Sequence, residues 1–200
     1  ASGHHLLSYK TAANGDVIDN TQTVALRVPP VTGTSSATAN ISMAVNMPTG
    51  DTAMGGQVAV PPATAFDPSD ATTYAHSTPI NILDPDGLPI DAMMFFRMTD
   101  APDAADATSS FSYHLVVDGY EVAADDPTAS TLDFDADGFQ VGGNSAVPFT
   151  LDGRALNVDL SGSNLSDEDF NVLSMEQDGT VVSKLAMLEV DDTGVVWGNY

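Results

Sequence analysis

The clearest alternation in the chain spans residues 38–47, where Ile41, Met43, Val45 and Met47 alternate with Asn40, Ser42, Ala44 and Asn46. A period of two puts the four apolar side chains on one face of a β-strand and the polar ones on the other. Residues 78–83 and 90–98 form a second pair of strand-like runs, separated by Asp84-Pro85-Asp86-Gly87, whose proline and glycine suit a tight turn. Together they predict a β-hairpin.

The same arrangement recurs along the chain. Runs 6–9 and 17–19 flank Asn14-Gly15, 112–117 ends at Asp118-Gly119, and 132–135 and 139–141 flank Asp137-Gly138. Runs 185–190 and 195–197 flank Asp191-Asp192-Thr193-Gly194. Such dipeptides supply the positive φ that short hairpin turns require. Residues 166–172 read as briefly helical, opening on a Ser166-x-x-Asp169 pattern that resembles a helix cap. Residues 48–70, with Pro61-Pro62, and 100–110, with alternating Ala and Asp, read as long surface loops. The expected fold class is all-β, with antiparallel β-sandwich or barrel domains joined by hairpins and little helix.

Composition sharpens this picture. With 42% hydrophobic residues among 200, the chain can bury a core, as one large or two small domains. Acidic residues outnumber basic ones 28 to 5, for a net charge of -23. Lys10, Arg27, Arg97, Arg154 and Lys184 are too scattered to form a basic patch. Nucleic acid and anionic membrane surfaces, which are held through clusters of Lys and Arg, are therefore excluded as partners. No apolar run approaches the roughly 20 residues that span a bilayer, and the first residues lack the basic and apolar regions of a signal peptide. With no cysteine there is neither a disulfide frame nor a thiolate metal site.

Candidate chemistry is sparse. Asp133-x-Asp135-x-Asp137-Gly138 matches the opening of a calcium loop, where spaced carboxylates and a glycine turn wrap a hard cation. The match stops there, because the twelfth position is Asn144 rather than a bidentate Glu and no helices flank the segment. The competing reading is a plain Asp-Gly hairpin turn. His4, His5, His76 and His114 lack ligand spacing and read as non-catalytic. Carboxylate pairs such as Asp125-Asp126 and Asp191-Asp192 read as solvated loop charge. Neither a nucleophile elbow nor a phosphate-binding loop occurs, so no catalytic residues and no cofactor are expected. Met93, Met94 and Met98 beside Phe95 and Phe96 could form a partner surface, but their place in a strand favours core packing.

The order of several segments resembles the bacterial flagellar hook protein family. Phe66-Asp67-Pro68-Ser69-Asp70, Thr73-Tyr74 and Ser77-Thr78 parallel that family's "FDPTD..SY..ST" stretch. A strand over 80–83, the Asp84-Pro85-Asp86-Gly87 turn and an apolar strand at 93–97 follow in the family's order, with Pro85-Asp86 and Pro89 departing from its "YDSLGN" turn. Leu6-Leu7-x-Tyr9 with the Asn14-Gly15 turn, residues 132–138, residues 156–161 and the closing strand pair over 190–200 agree in order as well.

The resemblance implies a middle fragment of a longer subunit that lacks the family's heptad-patterned terminal helices and so does not polymerise normally. By analogy, residues 28–160 form the outer hook β-domain, and residues 1–27 and 161–200 are the entering and returning segments of the inner β-domain. It implies a structural, non-enzymatic role in an extracellular tube that bends while transmitting motor torque. The implied partners are other hook subunits, the fragment alone being monomeric. The absence of cysteine is compatible with export of an unfolded chain through a narrow channel. A different class of function, a secreted adhesin or carbohydrate-binding sandwich, would need an exposed aromatic cluster. Trp197 and the tyrosines at 9, 74, 113, 120 and 200 show none in their spacing.

Overall fold

The computed structural model describes residues 7–12, 17–28, 31–51, 65–102, 107–126, 130–143, 145–192 and 196–199. They contain strands, turns and bends but no helix. The chain divides into two compact units, Thr34–Val181 and a second built from Ala1–Gly33 with Val182–Tyr200.

The second unit begins with β1 (Leu7–Thr11), β2 (Val17–Ala25) and β3 (Val31–Thr32). β1 pairs with β2 antiparallel, with register shifts on either side of Lys10. The expected hairpin is present, and its Asn14-Gly15 turn lies outside the described residues. The chain then enters the larger unit through β4 (Asn40–Pro48), β5 (His76–Leu83), β6 (Pro89–Asp100), β7 (Ser109–Val117) and β8 (Tyr120–Val122). There follow β9 (Thr131–Phe134), β10 (Gln140–Gly143), β11 (Ala146–Leu151), β12 (Arg154–Asp159), β13 (Asn164–Ser166) and β14 (Asn171–Gln177). Back in the second unit, β15 (Ser183–Lys184) pairs with β3, and β16 (Met187–Val190) pairs with β17 (Val196–Asn199).

The larger unit is a sandwich of two sheets. One has the order β10-β9-β7-β6-β5, with β8 continuing along the same edge of β7 that β9 occupies. The other is built around β4, which pairs with β14 on one side and with β12 and then β13 on the other. The alternation at Ile41, Met43, Val45 and Met47 does face a core, and all four are buried. From the opposite sheet they meet Met94, Phe96 and Met98 of β6 and Phe111, Tyr113 and Leu115 of β7.

Two features depart from the expected pattern. β12 and β13 run parallel to β4, so this sheet is mixed rather than purely antiparallel. The chain kinks between them at Gly162, and the Ser163 hydroxyl accepts the Val45 N–H (3.2 Å) that the interrupted ladder leaves open. The expected helix at 166–172 is not formed. Ser166 donates its hydroxyl to Asn46 Oδ1 (2.7 Å), and Asn46 Nδ2 donates to the carbonyls of Glu168 and Asp169. The buried Asn46 thus satisfies polar groups of this segment and leaves residues 171–177 free to pair with β4. Tertiary hydrogen bonding outcompetes a short, weakly nucleated helix.

Cross-links close the sandwich. On one side, residues after β8 leave their sheet so that Ala124 bridges Phe149 of β11 and Asp125 N–H bonds the Pro148 carbonyl. On the other, buried Thr38 donates its N–H to the Leu83 carbonyl, accepts the Leu83 N–H on its hydroxyl and donates that hydroxyl to Gln177. Residues 161–181 therefore pack with the larger unit rather than with the returning segment. A third link is Gly138, whose carbonyl accepts the Leu165 N–H (3.1 Å). Its φ is +83, and a Cβ there would overlap the Leu165 carbonyl. Gly119 has a similar φ of +82, but open space where its Cβ would be. Replacing Gly119 with Ala should thus cost only the left-handed backbone penalty of about 1–2 kcal/mol. Gly138→Ala should cost clearly more in denaturant unfolding, and equal losses would contradict this account of the link.

Candidate interaction surface

The three Asp residues that resemble a calcium loop occupy a hairpin. Asp135 Oδ1 accepts the N–H groups of Asp137 (3.0 Å) and Phe139 (2.9 Å), while its backbone bonds Phe139 and Gly138. Asp133 lies on β9 against the backbone of Gly142, and Asp137 is exposed at the tip. Among the described residues, no three His, Asp or Glu side chains gather in a way that could hold a metal ion.

Asp84-Pro85-Asp86-Gly87-Leu88 has the same bonding. Asp84 Oδ1 accepts from the N–H groups of Asp86 and Leu88, and the Gly87 N–H bonds the Asp84 carbonyl. Both are Asp-x-Asp-Gly turns in which the first carboxylate replaces missing backbone partners and the glycine takes a positive φ. Each turn presents an apolar side chain just after its glycine, Leu88 and Phe139, the latter 70% exposed. Tyr120, which opens β8 directly after the Asp118-Gly119 turn, is 79% exposed. In the second unit, Trp197 is likewise exposed and donates its indole N–H to Asp191 (3.2 Å).

The outer face of the six-stranded sheet is covered around Phe95 and Arg97, while Pro79, Asn81 and Asp91 on the same face are exposed. Met94, Phe96 and Met98 point into the core, which turns Phe95 and Arg97 outward, yet both are buried. The cover is the segment 65–75. Its Thr73 hydroxyl accepts the Asp67 N–H and donates to the carbonyls of Asp67 and Asp70, while Asp70 accepts the hydroxyl and N–H of Thr72. Those last two bonds lower the Asp70 pKa. The self-tied loop carries Phe66 and Tyr74 onto Phe95, with ring centroids 5.4 and 4.7 Å away. Phe66 also stacks on His114 at 4.1 Å and 15°. The Phe-Asp-Pro-Ser-Asp motif is thus a cover for the sheet rather than a ligand site. The methionine and phenylalanine run goes mostly to packing, as expected, Met93 alone of it being half-buried.

His114 pairs through Nδ1 with Glu121 Oε1 (2.7 Å) and through Nε2 with the Ser112 hydroxyl (3.1 Å). Burial of the ring lowers its pKa from 6.5, helped by the charge of Arg97. Glu121 pulls upward but is itself largely solvated, so burial prevails. His76 bonds Asp51 Oδ2 (2.7 Å) and stacks on Phe170 at 4.6 Å. His4 and His5 lie outside the described residues. Sequence spacing does not pair His114 with Glu121. The unbroken apolar run over 92–96 was the available signal that this strand is buried on both faces.

The geometry describes an all-β structural module, with its aromatic and titratable groups used for packing and turn formation. The family described as flagellar basal body protein FlaE D2 domain matches residues 51–180. The chain belongs to that family, and the resemblance read from its motifs is borne out. The family is structural, not enzymatic. No curated protein matches the chain. Among solved structures it is similar to the crystal structure of Helicobacter pylori flagellar hook protein FlgE2, with 17% identity and a TM-score of 0.44. That match covers 62% of this chain and 31% of the other.

A half-buried imidazole whose pKa is lowered makes stability depend on pH with a definite sign. The folded pKa of His114 lies below its unfolded value of 6.5, so its contribution is complete above 6.5 and is lost as pH falls through the folded value. The stability difference between the protein and His114→Gln should therefore fall on acidification below 6.5. NMR titration of the His114 ring should give a midpoint under 6.5, and Glu121→Gln should lower it further. A midpoint above 6.5 would contradict the assignment.

Proposed function

We propose that the chain is a structural part of a flagellar hook subunit, the flexible joint that transmits motor torque to the filament outside the cell. The family match over residues 51–180 carries this reading. On it, the unit Thr34–Val181 corresponds to the outer β-domain and the flanking segments to part of the inner one. This moves the boundaries expected at 28 and 160, in keeping with the pairing of β13 and β14 on β4.

A joint of this kind needs stiff domains whose contacts slide and re-form as protofilaments lengthen and shorten during rotation. The closed sandwich supplies stiffness. Its acidic surface, with isolated apolar tips in place of an interlocking apolar face, suits contacts that break at low cost. The partners are other copies of the subunit, without nucleic acid or membrane. This chain alone is monomeric, since copies of net charge -23 repel one another.

Antibody against this chain should label the short curved segment between cell envelope and filament in electron micrographs of intact cells. Label spread over the cell surface, or missing from flagella, would refute the hook reading. Because repulsion between such subunits is screened within about 10 Å at about 0.1 M salt, self-association of the full-length protein should strengthen with ionic strength or divalent cations. Sedimentation in a salt series measures this, and a flat response would count against a role for charge in assembly.

A further inference from the structure

Five Asp-Gly dipeptides lie among the described residues, at 86–87, 118–119, 137–138, 152–153 and 178–179. They share one latent reaction. The glycine nitrogen can attack the Asp Cγ, forming an N–Cγ bond as the nitrogen loses its proton and a carboxyl oxygen leaves as water. Solvent water then opens the cyclic imide at either carbonyl, giving aspartate or isoaspartate. The isomerisation neither gains nor loses atoms and needs no co-reactant besides water.

The fold divides the five sharply. At three of them the glycine nitrogen is engaged, with Gly87 N–H on the Asp84 carbonyl (3.0 Å), Gly138 N–H on the Asp135 carbonyl (3.0 Å) and Gly179 N–H on Gln177 Oε1 (2.5 Å). All three glycines also lie close under other segments, since a Cβ on Gly87 would meet Ser35, Thr180 and Val181, one on Gly138 would meet Leu165, and one on Gly179 would meet Thr38. The Asp178 carboxylate is further held by the N–H groups of Ala39 and Asn40 and the Asn40 side chain. Rotating any of these peptides toward ring closure means breaking contacts between distant parts of the sandwich.

Asp118-Gly119 and Asp152-Gly153 are different. Both glycines are exposed, with no atom within 4 Å of where a Cβ would lie, and neither donates its N–H to a carbonyl among the described residues. Asp118 and Asp152 are exposed and sit at φ of 51 and 52, a left-handed conformation disfavoured for residues with a Cβ. Leaving it costs Asp118 one backbone bond to another strand, its N–H on the Asp91 carbonyl (2.9 Å), and costs Asp152 none to another segment among the described residues, so these turns open locally at lower free energy than the three held ones.

We propose that Asp118 and Asp152 are sites of spontaneous isoaspartate formation in the folded protein, and that the fold protects Asp86, Asp137 and Asp178. At Asp118 the product has a structural consequence. The two-residue turn sets the β7–β8 register, Val117 opposite Tyr120, that brings Glu121 to His114. Isoaspartate inserts a methylene into the main chain there and breaks that pairing.

The test is to hold the folded protein at physiological temperature and neutral pH, then digest it with a protease that cleaves before aspartate but not before isoaspartate. A parallel sample is kept in urea. Uncleaved sites should accumulate at 118 and 152 about tenfold or more faster than at 86, 137 and 178, the factor that each ~1.4 kcal/mol of additional opening free energy imposes. In urea the five rates should converge. Comparable rates at the held and open sites of the folded protein would overturn the proposal, as would reaction at 118 and 152 in urea alone.

Discussion

The larger unit depends on β4 being satisfied on every side. Its inward residues Ile41, Met43, Val45 and Met47 are buried, and its two edges are paired with β14 and with β12 followed by β13. Its other face contributes Asn46, a buried polar side chain whose amide organises the start of β14. A buried amide left without partners would cost far more than its net contribution when paired. The segment from Ser166 to Asp169 therefore follows the needs of β4 rather than its own local preference. The pairing of Thr38 with Leu83 and Gln177, just before β4, extends the same control to β5 in the opposite sheet.

With the sandwich closed in this way, the surface is free to be acidic and sparsely apolar. The few large exposed apolar groups of this unit include Leu88, Tyr120 and Phe139, each directly after the glycine of a hairpin turn. Of the five cationic residues, Arg97 lies within the covered outer face at 3% exposure, and its burial lowers the guanidinium pKa. Removing a cation from the surface leaves the remainder more uniformly negative, which favours solubility and weak, salt-dependent contact between copies. The Asp-rich composition therefore acts in two ways, as turn chemistry within the chain and as repulsion between chains.

Turn chemistry also explains why calcium-loop spacing appears without helices around it. An Asp-x-Asp-Gly sequence satisfies a hairpin by directing the first carboxylate inward to backbone N–H groups, and that is how both copies of the pattern are used. The Phe-Asp-Pro-Ser-Asp stretch is a second instance, with Asp and Thr side chains closing a loop whose two aromatic residues shield the outer face of a sheet. Both motifs are conformational devices.

The sequence by itself determined the all-β class, the alternation of β4, the hairpins at Asp86-Gly87, Asp118-Gly119 and Asp137-Gly138, and the place of most of the methionine and phenylalanine run in the core. It did so because a period of two and Asp-Gly turns are local properties that each segment carries unaided. It also carried the family, since five short motifs kept their order. Tertiary structure alone decided the parallel pairing of β12 and β13 with β4, the strand in place of a helix beyond Ser166, the pairing of His114 with Glu121 and the docking of Phe66 on the covered face. In each of these a side chain or ladder is satisfied by a partner distant in sequence or across a turn, so no local pattern of residues could record it.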